Sequence, residues 1–344
     1  MDMDTDDDYL GFDYSRRFGV EIELNSMDGL SRSMGRDNPV GSDYVANLIS
    51  RSLNKTVEIT KWHHTHNNEF WIVKPDSSCG IEVCSPVSKG WKGLKDICRV
   101  AEEFSNDELI VADERCSLHV HVEVADLSED ELASVLYYWI KCEPVFLDSV
   151  PHKRKSNRYC QFIGLTDLIE HDVEISPSLL ISRLGNVKYY SLNTYHLKKG
   201  RRETIEFRII GNSGCLDPFL IKNWVRLIVH FINVTSKIGI PYHYVEGDPW
   251  SSFLWLDAKD VFRLLGFWDS DKILTEGVKQ TRDWFLARLK KNGSLLDRDG
   301  FWSTHSRFVS NSQVSEMFSI LGLNEINNLL SPIRGDLIYS KKFI

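Results

Sequence analysis

Carboxylate and imidazole side chains alternate with apolar residues in several short segments of the chain. The first segment, residues 18–24, reads F-G-V-E-I-E-L. In a β-strand successive side chains point to opposite faces, so Glu21 and Glu23 would share a polar face, roughly 7 Å apart along the strand. Charged residues are seldom buried without partners, so one such strand taken alone favours a solvated outer face.

Two further segments repeat this pattern. Residues 81–83, I-E-V, place Glu82 opposite two apolar side chains, and residues 118–124, L-H-V-H-V-E-V, place His119 and His121 opposite a run of Leu and Val. Either histidine alone is typical of a packed or surface residue. The recurrence predicts that the apolar faces pack on helices while the polar faces meet on one concave surface.

A fourth segment adds a cation to this surface. Residues 204–209, T-I-E-F-R-I, place Glu206 and Arg208 on one face. By themselves these two residues could form a cross-strand ion pair. Clustered carboxylates repel one another and need a cation, and carboxylates with one or two histidines suit Mg²⁺ or Mn²⁺. Arg208 has a planar fork that suits phosphate oxygens, so the set favours phosphoryl chemistry.

The composition limits the class of protein. The 344 residues are 42% hydrophobic and 26% charged, which is typical of a globular protein, and the net charge of −8 argues against a nucleic-acid partner. No apolar run approaches the ~20 residues of a membrane span. Residues 1–14 are acidic, unlike a secretory leader, and predict a disordered tail. The seven cysteines include no C-x-x-C motif, so a reducing cytoplasmic location is expected.

The chain predicts an α+β fold, with helices covering one face of a mostly antiparallel sheet. Gly239-Ile240-Pro241 marks a boundary between a catalytic domain (15–238) and a mainly helical extension (239–344). Periodicity and turn residues predict strands at 18–24, 70–73, 81–84, 118–124, 188–192 and 204–209, and helices at 42–53, 91–104, 129–146, 218–236, 257–265, 272–291 and 314–330.

The motifs resemble those of the amidoligase family when read in order. They are F-G-V-E-I-E-L, W-I-V-K-P-D-S-S-C-G-I-E-V-C-S-P, C-S-L-H-V-H-V and T-I-E-F-R, within residues 15–235. Their order is similar to that of glutamate–cysteine ligase and, more distantly, glutamine synthetase. The resemblance implies a glutamine synthetase-like catalytic fold, whose curved antiparallel sheet holds ATP and Mg²⁺ or Mn²⁺ on its concave face. It also implies that ATP phosphorylates a carboxylate and that an amine then displaces the phosphate.

The resemblance assigns roles residue by residue. Arg208 would grip the transferred phosphate as a catalytic residue together with Glu206, and Asp76 would orient the amine. The metal ligands would be Glu21, Glu23, Glu82, His119 and Glu206, and the nucleotide contacts His121, Arg158, Asn193 and Arg208. Whether His119 or His121 binds the metal stays open.

Two other charged clusters are assigned no role in the chemistry. Lys153, Arg154 and Lys155 are interpreted as a solvated cluster, and the run W-H-H-T-H at residues 62–66 as a loop or strand edge. No P-loop and no G-x-G-x-x-G follows a strand, so a nucleotide would be held in another way.

Several activities remain compatible with this surface. The leading hypothesis is an ATP-dependent ligase that joins a small-molecule or peptide carboxylate to an amine, with no nucleic acid and no membrane as partner. Its alternatives are a phosphagen-kinase-like phosphotransferase, a metal-dependent hydrolase and a non-catalytic nucleotide-binding protein. The sequence names neither the acid nor the amine, and residues 239–344 could select them.

Overall fold

The computed structural model describes residues 15–26, 39–60, 69–155, 157–163, 177–185, 188–198, 203–240, 256–267 and 274–292. In these ranges the strands are β1 (Phe18–Ser26), β2 (Val57–Ile59), β3 (Trp71–Asp76), β4 (Gly80–Cys84), β5 (Ile110–Val111), β6 (Ser117–Glu123), β7 (Leu192–Asn193) and β8 (Thr204–Gly211). The helices are α1 (Pro39–Leu53), α2 (Gly90–Asn106), α3 (Glu129–Asp148), α4 (His152–Lys155), α5 (Pro177–Leu184), α6 (Tyr195–Lys198), α7 (Pro218–Thr235), α8 (Ala258–Leu264) and α9 (Glu276–Asn292).

The strands form one mixed sheet in the order β2-β3-β4-β1-β6-β8-β7, with β5 beside the end of β1. Only the β2–β3 pair is parallel among the strand pairs of the described residues. The prediction of an α+β fold with a mostly antiparallel sheet is therefore confirmed. The curvature of the sheet and the helical character of the whole C-terminal region stay predictions.

The sheet has one apolar face, which helices cover. On β1, Phe18, Val20, Ile22 and Leu24 are buried. The Trp139 ring of α3 packs edge-on against Phe207 of β8, at 4.8 Å between ring centroids. Because alternate residues of each strand are committed to this core, their neighbours must project from the other face of the sheet.

The long helices begin at residues that satisfy their first backbone N–H groups. At α3, Ser128 and Glu131 form a capping box, in which each side chain accepts a hydrogen bond from the backbone of the other. At α7, the Asp217 side chain accepts from the backbone N–H groups of Phe219 and Leu220, at 2.9 and 3.1 Å. These caps define the residues at which the two helices begin.

Two sequence predictions are wrong. The strand predicted at 188–192 begins only at Leu192 and extends to Asn193. It ends there because the Asn193 side chain accepts from the backbone N–H of Tyr195 at 2.9 Å and so starts helix α6. Arg154 is buried rather than solvated, with 2% of its surface exposed, because its guanidinium binds backbone carbonyls of β8.

Helices α8 and α9 share the hydrophobic core of the sheet domain. Phe285 of α9 stacks on Phe146 of α3, with 5.6 Å between ring centroids. The division at residue 238 stays a prediction. The predicted tail (1–14), the histidine-rich run (62–66) and the predicted helix at 314–330 lie outside the described residues.

All seven cysteines are buried free thiols, which agrees with the absence of a disulfide framework expected from their spacing. Within the ranges given above, no helix combines the length and the apolar character needed to cross a bilayer.

Candidate active site

The polar faces of the central strands line one cavity of about 420 Å³. The cavity brings together all but one of the predicted site residues: Glu21, Glu23, Asp76, Glu82, His119, His121, Asn193, Glu206 and Arg208. The exception is Arg158, which is exposed and donates a hydrogen bond to the Tyr159 hydroxyl at 2.8 Å. Its neighbour Tyr159 does line the cavity.

The first row of side chains crosses β3, β4 and β1. Lys74 lies opposite Glu82, and Glu82 lies opposite Glu23. Like charges placed directly across a strand pair destabilise a sheet. The Lys74 ammonium reduces this repulsion by pairing with Glu82, at 2.6 Å between Nζ and Oε1.

The second row crosses β4, β1 and β6. Cys84 lies opposite Glu21, and Glu21 lies opposite His119. His119 is 3% exposed, so its ring is fixed within the sheet face. Its Nδ1 lies 3.2 Å from a Glu21 oxygen and 3.3 Å from a Glu206 oxygen, while its Nε2 lies 3.8 Å from Glu23. One imidazole therefore connects three carboxylates.

The third row crosses β6, β8 and β7, where His121 lies opposite Glu206 and Glu206 lies opposite Asn193. The Asn193 amide donates to one Glu206 oxygen at 2.6 Å, and the Arg208 guanidinium pairs with the other. Asn193 thus orients a carboxylate, whereas the sequence predicted a contact with nucleotide. Arg208 Nε also donates to the Tyr159 carbonyl, at 3.2 Å.

The electrostatics divide the carboxylates into two kinds. Burial would raise the pKa of Glu21, but His121 and His119 outweigh burial and hold the pKa well below its usual range. Burial raises the pKa of Glu23 to about 7, and the nearby Glu82 and Asp76 carboxylates add to the rise. Burial and the Glu21 carboxylate also raise the pKa of Glu82, so the protein compensates the charges of Glu23 and Glu82 only in part.

Arg208 compensates the charge at the opposite end of the cavity. Burial would raise the pKa of Glu206, but Arg208 and the two histidines outweigh it and lower the pKa. Burial opposes the charge of Arg208 as well, yet Glu206, Glu21 and Glu23 raise its pKa. The guanidinium is therefore a fixed cation in a partly buried site, which suits an anionic ligand.

Lys74 was missed by the sequence prediction. The strand was predicted to end at Val73, just before a turn that begins at Pro75, so Lys74 was given no face, whereas β3 continues to Asp76. Period-two alternation over the full strand would have placed Ile72, Lys74 and Asp76 on the cavity face. Burial would lower the pKa of Lys74, but Glu82 and Glu21 outweigh it and raise the pKa.

Asp76 has a structural role in addition to its place in the cavity. One of its oxygens accepts hydrogen bonds from the backbone N–H groups of Ser78 and Cys79, at 2.7 and 3.2 Å, and from the Ser78 hydroxyl. These bonds form the turn between β3 and β4. Its predicted role in orienting an amine stays a prediction.

The residues fit a divalent cation by their donor chemistry. Ligand atoms of Glu21, His119 and Glu206 lie within 4.8 Å of one another, and so do those of Glu23, Asp76 and Cys79. His119 Nε2 is buried and makes no hydrogen bond within the described part of the chain. Carboxylate oxygens with an imidazole suit Mg²⁺ or Mn²⁺ at the first group, whereas a thiolate at the second suits softer metals.

Comparison of the sequence with known families now adds to this geometry. The sequence model of the family described as "Putative amidoligase enzyme" matches residues 14–232. The chain belongs to this amidoligase family. The matched region contains all the cavity strands, and the membership supports an enzyme that forms amide bonds.

Comparison with individual proteins gives weaker likenesses. No curated protein sequence matches this chain. A bifunctional glutathione synthetase from Pasteurella multocida has 10% identity and a TM-score of 0.36, with 92% of this chain and 49% of that one covered. The complex of the prokaryotic ubiquitin-like protein Pup with its ligase PafA gives 10% identity and a TM-score of 0.34, with 95% and 70% covered. The chain spans about half the length of the synthetase.

The raised pKa of Glu23 leads to a prediction of opposite effects on stability and on metal affinity. A carboxyl with a pKa of about 7 in the folded chain, against about 4.3 unfolded, lowers stability progressively as pH rises through that interval. Glu23→Gln removes this cost, so in EDTA at pH 8 the variant should have a higher melting temperature and a free energy of unfolding larger by up to about 4 kcal/mol, with no gain at pH 4. Thermal melts at both pH values measure this.

The same substitution should weaken Mn²⁺ binding about tenfold or more, because it removes a charged oxygen ligand. Isothermal titration calorimetry measures this affinity. Glu123→Gln is the matched control. Glu123 is the last residue of β6, on the same sheet face as His119 and His121, but it pairs with Arg17 and does not line the cavity. Wild-type Mn²⁺ affinity in Glu23→Gln would remove Glu23 from the metal site.

Proposed function

We propose that this protein is an ATP- and Mg²⁺-dependent carboxylate–amine ligase, which forms an amide through an acyl phosphate. The observation that carries the proposal is the convergence, within an amidoligase chain, of a buried carboxylate–histidine cluster and an arginine in one cavity. Glu206 joins the two parts, since its Oε1 lies 3.3 Å from Nδ1 of His119 and also pairs with the Arg208 guanidinium. A nucleoside triphosphate carries both the negative charge that Arg208 would bind and the phosphate oxygens that would complete the coordination of a metal ion.

The proposed reaction has two steps. A carboxylate oxygen of the first substrate attacks the γ-phosphorus of ATP, the bond to the bridging β–γ oxygen breaks, and ADP leaves. The amine nitrogen of the second substrate then attacks the acyl carbon, the carbon–oxygen bond to phosphate breaks, and the amine gives up a proton to the released phosphate or to solvent. The products are an amide, ADP and phosphate.

Arg208 is proposed to bind the transferred phosphoryl oxygens. Its guanidinium is held by Glu206 and by the Tyr159 carbonyl, so little reorganisation is needed when phosphate charge develops. Glu21, His119 and Glu206 would hold a first Mg²⁺ or Mn²⁺, with Glu23 as a further ligand. When bound, the metal would neutralise charge on the phosphates.

Lys74 and Asn193 are proposed to position carboxylates rather than to contact phosphate. Lys74 pairs with Glu82 and reduces its repulsion with Glu23, while Asn193 fixes the rotation of Glu206. His121 lies 3.2 Å from Glu21 and is available to either the metal or the nucleotide. Arg158 is exposed and directly precedes Tyr159, which lines the cavity, and it stays a candidate nucleotide contact.

The reaction class is tested by ADP release over a panel of paired acids and amines with ATP and Mg²⁺. A ligase should release ADP only with an acid present, and hydroxylamine should trap the acyl phosphate as a hydroxamate. A stable phosphorylated product without an amide would indicate a phosphotransferase. Substrate turnover without nucleotide would indicate a hydrolase, and ATP binding without turnover of any pair would favour a non-catalytic nucleotide-binding protein.

Arg208→Lys separates phosphoryl binding from a structural ion pair. Lysine keeps the charge but loses the planar two-pronged donor. If Arg208 acts mainly in the transition state, the variant should lower kcat about 100-fold or more, with a much smaller change in the KM for ATP. Steady-state kinetics and a thermal melt on the same preparation measure both effects. Near-normal kcat with a lowered melting temperature would leave Arg208 only a structural role.

A further inference from the structure

Arg154 is a buried cation outside the cavity. It belongs to the short helix α4 and is 2% exposed, whereas the preceding Lys153 is exposed on the surface. No carboxylate of the described chain pairs with its guanidinium. Burying a charge without an ionic partner is costly, so the side chain must be held by strong compensating contacts.

Those contacts are to one stretch of β8 and its neighbour strand. Nη2 donates to the carbonyls of Arg208 and Ile210, at 2.7 and 3.2 Å, and to the Ser117 hydroxyl, at 2.8 Å. Nε donates to the carbonyl between them, that of Ile209, at 3.1 Å. One guanidinium therefore binds three consecutive backbone carbonyls, the first of which belongs to the arginine of the cavity.

The three carbonyls lie at an irregularity of the sheet. Ile210 pairs with Leu118, and Phe207 pairs with Val120, so two residues of β8 lie opposite the single residue His119. Such a β-bulge leaves backbone groups without ladder partners. Arg154 supplies the missing donors, which makes the bulge stable inside the protein.

The bulge also explains how the sequence T-I-E-F-R-I-I-G fits the sheet. In a regular strand Ile210 would share the polar face of Glu206. The extra residue returns Ile210 to the apolar face, opposite Leu118, so both Ile209 and Ile210 are buried. The alternation changes between Ile209 and Ile210, and Arg208 is one of the two residues that lie opposite His119, so its backbone is part of the bulge.

The guanidinium fits this place closely. A Cβ atom at Gly211 would lie 2.8 Å from both Cζ and Nε of Arg154, so a side chain there would displace the guanidinium. On the other edge of β8, the Arg208 N–H donates to the Ser191 carbonyl at 2.9 Å. The backbone of Arg208 is thus held from both sides, by Arg154 and by the β7 segment.

We propose that Arg154 is a positioning residue, which fixes the β8 bulge so that the Arg208 guanidinium faces the carboxylate–histidine cluster. Its effect on turnover rests on the proposed ligase function. Its effect on the placement of Arg208 does not, and this allows the two claims to be tested separately.

Placement is tested by NMR of protein labelled with ¹⁵N at arginine. The Nε–H signal of Arg208 is assigned by its loss in Arg208→Lys. In Arg154→Met this signal should shift or broaden, and its exchange with solvent should become about tenfold faster, because the bulge opens locally. Lys153→Met, a neighbouring substitution on the exposed side of α4, should leave the signal unchanged. An unchanged Arg208 signal in folded Arg154→Met would overturn the proposal.

Arg154→Lys gives the same test if Arg154→Met does not fold. Lysine keeps the charge, but one ammonium cannot reproduce the planar fork that reaches three carbonyls and Ser117. The same displacement of the Arg208 signal is expected, and a wild-type signal in this variant would overturn the proposal equally.

Turnover is tested by a double-mutant cycle. Arg154→Met should lower kcat for ADP release about 10- to 100-fold, the scale expected for misplacing a reacting group. In an Arg208→Lys background the further loss should be less than about threefold, because Arg154 acts through Arg208. Equal losses in both backgrounds would overturn the positioning role. Absence of ADP release from the wild type would count against the ligase function, and the NMR result would still decide the placement of Arg208.

Discussion

The burial of several carboxylates on one face of a sheet is the constraint on which the rest of the structure depends. Glu23, Glu82 and Glu206 are each less than 10% exposed, and two of them lie directly opposite one another. The protein compensates part of this charge with His119 and Lys74 on neighbouring strands. The charge that remains uncompensated favours the binding of external cations in the cavity.

The location of the site could be predicted from the sequence because it is encoded by period-two alternation. A strand such as F-G-V-E-I-E-L places its apolar residues in the core, and its carboxylates must then lie on the opposite face of the sheet. His119 and Glu206 follow from the same rule applied to β6 and β8. The order of these strands, which brings β1 beside both β4 and β6, was not predicted, because no single segment carries information about which distant strand it pairs with.

Features that depend on irregular or long-range structure could not be predicted in this way. Lys74 was missed because Pro75 and Asp76 resemble turn residues, although β3 extends through them. Arg154 was misassigned because three consecutive basic residues usually form a solvated surface. Its burial depends on a bulge in β8 that lies 54 residues further along the chain, and local sequence carries no information about that contact.

The central claim is that the carboxylate–histidine cluster binds the metal of a nucleotide complex. A crystal structure with Mn²⁺ and a non-hydrolysable ATP analogue, recorded with anomalous scattering, tests this claim most directly. The account predicts an anomalous peak at roughly 2.0–2.3 Å from oxygens of Glu21 and Glu206 and from a nitrogen of His119. It also predicts that the terminal phosphate lies within hydrogen-bond distance of Arg208. Manganese and nucleotide bound outside this cavity, with the carboxylates still paired to His119 and Lys74, would contradict it.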